Sequence, residues 1–382
     1  MDEARISRIK QKAWSMLDAN HGTEALQAFE ECIALDPKNL THYLELGVAQ
    51  YRLGKNADSI KSFDYILERE PKHILALNNK ARVLIDLKQS NEAMELYKRI
   101  LAIDPKHTRT WLKAAQLMTS LERYDKADVC LHEALSISPE DASLWMERAL
   151  NMRKAANLER ALEYIQKSLQ LKATDFEALR EKGHILSALK RYEEAINTYK
   201  VALQQQREDV DVELALGYAY LAYGLAQLAL DTFDPIIKRE KDCVKAWDGK
   251  GHAFIALGQK TRGLLNRGTA AMIDNRLEDS LVLIDEALAE NKEYPEAWSN
   301  RGVVLEKLER YEEAGAAYRN ALVLDPNAVV SMHNLGMLYI HRLDRREEGL
   351  HLIKDTLKYD PQRWFKLSSE LRNAVDALKF DR

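Results

Sequence analysis

Residues able to attack, ligate or shuttle a proton are plentiful in this sequence, but their spacing assembles none of the constellations that such chemistry needs. Ten histidines are dispersed over 382 residues. His184, His252, His333 and His341 fall on predicted helices, and none belongs to a Cys, Asp or Glu set at metal-ligand spacing. Cys32, Cys130 and Cys243 are odd in number and far apart, which gives neither a disulfide framework nor a C-x-x-C metal pair. Gly249-Lys250-Gly251 is the nearest imitation of a phosphate-cradling loop, yet it follows Trp247 inside a predicted helix and lacks the strand and further glycines of such a loop. Carboxylate pairs such as Glu312-Glu313 and Glu347-Glu348 mark helix starts, where negative charge suits the positive end of the dipole. With no nucleophile elbow or zinc signature either, the chain reads as non-enzymatic, with no metal and no cofactor.

The elements that carry these residues follow a fixed period. Pro37, Pro71, Pro105 and Pro139 are each 34 residues apart. If each proline is position 32, frames begin at residues 6, 40, 74, 108, 142, 176 and 210, and other columns align. Position 20 holds Ala25, Ala93, Ala127, Ala161, Ala195 and Ala229, and position 24 holds Phe29, Phe63, Tyr97, Tyr199 and Phe233. Gly47, Gly183 and Gly217 stand at position 8, and Tyr43, Trp111 and Trp145 at position 4. A period of this size means stacked two-helix units whose small residues let helices approach and whose aromatics fill the space between neighbours. With 30% charged residues, 15 Gly and 8 Pro, the composition is helical rather than disordered or loop-rich.

These columns resemble the tetratricopeptide repeat, and the resemblance covers nearly the whole chain. It implies an all-α, right-handed superhelical solenoid of antiparallel helix pairs, closed by a C-terminal capping helix. Seven repeats are expected over 6–39, 40–73, 74–107, 108–141, 142–175, 176–209 and 210–243, and three more over 261–294, 295–328 and 329–363. Residues 244–260, carrying Trp247 and Gly251, are left as half a repeat, a lone first helix at which the register breaks. An odd helix should swap the layers or be extruded; the alternative is that 261–274 packs as its second helix. Pro235 should kink or shorten the preceding helix. Trp364, Leu367, Leu371, Val375 and Leu378 are spaced for a final helix from about residue 364 to Phe380, within a 364–382 cap.

The resemblance also implies a concave groove for protein or peptide segments, faced by positions 2, 5, 6, 9, 12 and 13 of each repeat. Three sets of residues occupy it. Arg82, Arg109, Lys113, Arg153 and Lys154, on repeats three to five, could pair with acidic side chains or a chain-terminal carboxylate. Asn79, Arg109 and Lys113 match two repeats of the carboxylate clamp of tetratricopeptide co-chaperones, but Leu44 and Val48 stand where its first Lys and Asn belong. Asn79, Asn266, Asn300 and Asn334 share position 6, where a carboxamide can both donate to and accept from a peptide backbone. Leu214, Tyr218 and Leu221 give repeat seven an apolar groove face on a helix that is apolar all round, so a partner or the chain itself must cover it.

A net charge of −4 offers no bulk attraction to nucleic acid or an anionic membrane. The N-terminus MDEARISRIKQKAW lacks the apolar run of a signal peptide. No stretch reaches the ~18 apolar residues of a membrane span. The expected role is a cytoplasmic scaffold or adaptor that binds a protein or peptide partner, acidic if it engages repeats three to five, with self-association left open. The rival readings are a regulatory or substrate-recruiting subunit of an enzyme whose catalytic domain is on another chain and, behind it, an RNA-binding helical repeat. Against the latter, Glu177, Glu181, Asp211, Asp248, Glu296 and Glu306 interrupt any basic stripe.

Overall fold

The computed structural model describes residues 2–362 and 367–377, and the regular elements among them are helices. The chain forms two compact units. The first, 1–181, contains α1 (Asp2–Asp18), α2 (Gly22–Leu35), α3 (Leu40–Arg52), α4 (Asn56–Arg69), α5 (Ile74–Asp86), α6 (Ser90–Ile103), α7 (Thr108–Ser120), α8 (Tyr124–Ile137), α9 (Ala142–Lys154) and α10 (Leu158–Leu171). The boundary falls in α11 (Phe176–Ala188). The second unit, 182–382, contains α12 (Tyr192–Gln205), α13 (Val210–Ala222), α14 (Ala226–Arg239), α15 (Val244–Ala256), α16 (Lys260–Ile273), α17 (Leu277–Glu290), α18 (Pro295–Lys307), α19 (Tyr311–Leu324), α20 (Val329–His341), α21 (Arg346–Tyr359) and α22 (Ser369–Ala377). Within each unit consecutive helices pack on one another, so the fold is an all-α solenoid of helix pairs.

The sequence columns are the packing contacts. All six alanines at position 20 are fully buried, as are Phe29, Phe63 and Phe233 at position 24. A Cβ on Gly47 would lie 2.6 Å from the Phe63 ring, so only glycine admits the aromatic there. Gly217 against Phe233 and Gly302 against Tyr318 repeat the arrangement. Where Ser59 replaces the position-20 alanine, its hydroxyl donates to the Gly47 carbonyl at 2.7 Å, so the buried oxygen is satisfied. The position-4 aromatics also close the joint between repeats. The Trp111 and Trp145 indoles donate to the carbonyls of Pro105 and Pro139 at 2.9 and 2.8 Å. Trp247 and Trp298 donate likewise to Lys241 and Lys292 at 2.8 and 2.9 Å. The joint needs a carbonyl rather than a proline ring, which is why the frame survives where the proline is lost.

The segment around α15 and α16 departs from simple pairing. Ser280 donates to the Gly268 carbonyl at 2.7 Å, repeating the Gly47 and Ser59 contact, so α16 is a first helix toward α17. Toward α15 it is a second helix: a Cβ on Gly251 or on Gly263 would lie 2.7 Å from the other residue's carbonyl oxygen, and Arg267 stands where the aromatic normally sits. First helices also touch along α13–α15 and α16–α18. The first-helix role therefore passes from α15 to α16 with both helices paired. Pro235 does not end α14, which runs on to Arg239. The ring lies on the exposed face, where the Asp231 carbonyl that loses its donor can bond to water.

Among the described residues the cap helix starts later than expected. α22 begins at Ser369, and Leu367, Leu371 and Val375 are buried against Leu350 and Ile353 of α21. Trp364, Leu378 and Phe380 lie outside the described residues.

Candidate functional site

In the first unit the groove positions touch from one first helix to the next. Lys10 of α1 pairs with Glu45 of α3 at 2.7 Å. The Arg82 guanidinium of α5 lies over the Tyr51 ring of α3, 4.4 Å from its centroid. Lys113 of α7 reaches Asn78 Oδ1 of α5 at 3.5 Å. Gln116 of α7 donates to Glu147 of α9 at 2.9 Å, and Arg153 of α9 pairs with Glu181 of α11 at 3.0 Å.

Along this layer Lys10 and Arg153 are ion-paired and Glu147 meets only the neutral Gln116 amide, whereas the centre is cationic. Arg82, Arg109 and Lys113 form no ion pair among the described residues. Arg109 and Lys113 are one helical turn apart on α7, and Lys113 bridges to α5, which carries Arg82. Burial, and then the charges of Arg109 and Arg82, hold the Lys113 ammonium below the usual lysine range; no carboxylate acts on it. Tyr51, the platform beneath Arg82, is fixed by the bond from its hydroxyl to Asp86. That bond, with burial, raises the phenol's pKa. The structure thus divides the basic residues read from the sequence. Arg82, Arg109 and Lys113 converge, Arg153 is committed to Glu181, and the adjacent Lys154 is exposed.

The asparagine column is bonded differently from one repeat to the next. Asn79 and Asn266 donate to the carbonyls of Leu75 and Arg262 on their own helices, at 2.9 and 2.7 Å. Asn300 is half-buried on α18. Asn334 instead joins a polar cleft of about 370 Å³ in the second unit with Glu306, Lys307, Tyr311, Tyr318 and Arg342. There the Tyr318 hydroxyl donates to Glu306 at 3.1 Å. Burial, followed by the Glu306 charge, pushes that phenol well above the usual tyrosine value, while Asn334 opposes the shift.

The apolar face of repeat seven is covered from within the chain. Leu214 is buried, Leu221 is half-buried, and the Tyr218 hydroxyl donates to the Lys245 carbonyl of α15 at 2.8 Å. Burial pushes the Tyr218 phenol up to about 12. Tyr218 thus reaches the helix next to the register break.

Asn78 and Tyr51 went unmarked in the sequence. Both occupy groove positions, 5 and 12, so the frame could have found Asn78; the stacking of Arg82 on Tyr51 depends on a cross-repeat contact that no local pattern carries. Among the described residues no three His, Cys, Asp or Glu side chains gather as a metal site. His252 and Asp248 approach to 3.4 Å, and the carboxylate is shared with Arg267. No described helix is long and apolar enough to cross a membrane.

Models of the tetratricopeptide repeat match residues 11–69, 44–108, 84–150, 186–251 and 295–328, more than half of the chain. The protein belongs to the tetratricopeptide repeat family, whose arrays are protein-interaction scaffolds. Similar solved structures include a tetratricopeptide repeat protein from Parabacteroides merdae, 15% identical, with 65% of this chain and 98% of that one covered at a TM-score of 0.46. PilF of Pseudomonas aeruginosa is 20% identical, over 54% and 94% of the two chains, at a TM-score of 0.45. YrrB, described as a repeat protein with an unusual peptide-binding site, is 20% identical over 53% and 96%, at a TM-score of 0.30. No curated protein matches the sequence.

Proposed function

We propose that this chain is a non-enzymatic adaptor that grips an acidic segment of a protein partner on the α5–α7 face, within the repeat frames 74–107 and 108–141. The observation that carries this reading is the convergence of Arg82, Arg109 and Lys113 without an ion pair, between the ion-paired Lys10 and Arg153 of the same layer. Like charges gathered around the half-buried Lys113 oppose folding, and an anionic partner reverses that cost. Asn78 contributes a carboxamide beside them. The cysteines Cys32, Cys130 and Cys243 are all free, which supports a reducing, cytoplasmic setting.

The test is affinity capture from a native extract, comparing wild type with Arg109→Glu plus Lys113→Glu. A partner held by wild type should be lost from the double variant, and its capture should weaken with added salt as a charge-led contact does. Equal capture by both proteins would remove the α5–α7 face from the account.

A further inference from the structure

The composition of the α5–α7 patch specifies more than an acidic partner. The patch is rich in hydrogen-bond donors. Arg82 and Arg109 each bring the five N–H groups of a guanidinium, and Lys113 brings an ammonium. Asn78 turns its Oδ1 toward Lys113, so its Nδ2 faces the other way and adds two more N–H donors. Asn79, bonded back to Leu75, stands aside. Arg82 is oriented by stacking on Tyr51, which is itself held by Asp86, so this part of the patch is fixed before a ligand arrives.

Arg82 shares Tyr51 with the carboxylate of Asp86, whereas Arg109 and Lys113 have none, and a single carboxylate from a partner would answer only one of those two. A phosphoryl group carries nearly two negative charges at pH 7 and three acceptor oxygens, a much closer match in both charge and donor count. The flanks decide what bears it. On one side Lys10 is neutralised by Glu45, and on the other Gln116 meets Glu147 and Arg153 meets Glu181. No cationic track leaves the patch, so a polyanion such as a nucleic acid or a charged membrane surface would meet carboxylates on both sides. From the donor set and its carboxylate-bearing borders we infer that the α5–α7 patch is a receptor for one phosphorylated side chain, on serine or threonine, of a partner protein. This inference rests on the adaptor reading above and deepens it.

The test offers the full-length protein three peptide libraries with the same randomised flanks and a fixed central phosphoserine, glutamate or serine. The phosphoserine library should be retained about tenfold better than the glutamate library, as its second charge and extra acceptors imply. Retention should fall as pH drops through the phosphate's second pKa of about 6. Lys113→Gln and, separately, the exposed Arg109→Gln should abolish the preference. Equal retention of the glutamate and phosphoserine libraries would overturn the phosphoryl inference and leave the acidic-partner reading standing. Retention of neither would overturn both. Binding of inorganic phosphate without the phosphoserine library, or a preference for oligothymidylate or phosphatidylserine vesicles, would equally overturn the inference.

Discussion

At position 42 the fold encloses an imidazole and gives it nothing to bond. His42 is 2% exposed, both ring nitrogens lack a hydrogen-bond partner among the described residues, and Asp36 is 4.0 Å away. Burial holds its pKa below the ordinary histidine value; Lys10 pushes the same way, while Glu45 and Asp36 oppose. Because the folded pKa lies below the unfolded one, the unfolded chain binds the proton first as pH falls. The neutral ring's contribution to stability is therefore complete above pH ~6.5 and is lost as the pH descends through the lowered folded value. His42→Leu should remove this dependence and relieve an unsatisfied buried group worth about 1–2 kcal/mol. Hydrogen exchange of the α3 amides at pH 8 and pH 5 would show it; an unchanged pH dependence in the variant would assign the effect to another group. The sequence could not disclose such a residue. His42 occupies an ordinary frame position, and its isolation depends on Lys10 and Glu45 pairing with each other. The asparagine column hides its differences for the same reason. One residue type at one position meets a carbonyl of its own helix at Asn79 and a tyrosine hydroxyl at Asn334.

At the scale of helices and turns, much more was legible, because packing between neighbours repeats with the period. The glycine, alanine and aromatic columns could be read as contacts before any contact was visible. The turn between paired helices was only half legible. Gly54, Gly224 and Gly258 mark it openly, with positive φ of 72°, 88° and 76°. The same turn position elsewhere holds Lys88, Glu122, Ala156, Lys190 and Glu309, all in the left-handed region. These side chains conform because the packed helices on either side dictate the turn, at an expense that glycine avoids. Ala156, at φ 58°, is the cleanest place to measure it. Ala156→Gly should stabilise the α9–α10 pair by about 0.5–1 kcal/mol, as relief of left-handed strain outweighs glycine's added entropy in the unfolded chain. A higher urea midpoint, or slower exchange in α9 and α10, would be the sign. A lower midpoint would mean that the entropic term dominates.

At the scale of the molecule, a solenoid draws its stability from neighbouring contacts, so damage should remain where it is inflicted. The handover from α15 to α16 is the place to test this. Gly251 and Gly263 bring two helix backbones together with no side chain between them, and a methyl group on Gly263 would lie 2.7 Å from the Gly251 carbonyl oxygen. Neither backbone can yield without disturbing a second contact, because α16 also carries the Gly268 and Ser280 bond to α17. Gly263→Ala should therefore cost about 1–3 kcal/mol, in the range of overpacking a well-filled core. Hydrogen exchange should accelerate through α15, α16 and α17 while α5 and α7, in the other compact unit, keep wild-type protection. The ligand preference of the Arg82, Arg109 and Lys113 patch should likewise be unaltered. Exchange that rose evenly across both units would show cooperativity longer in range than helix-to-helix contact. The α15–α16 junction would then govern the binding face as well as its own neighbourhood.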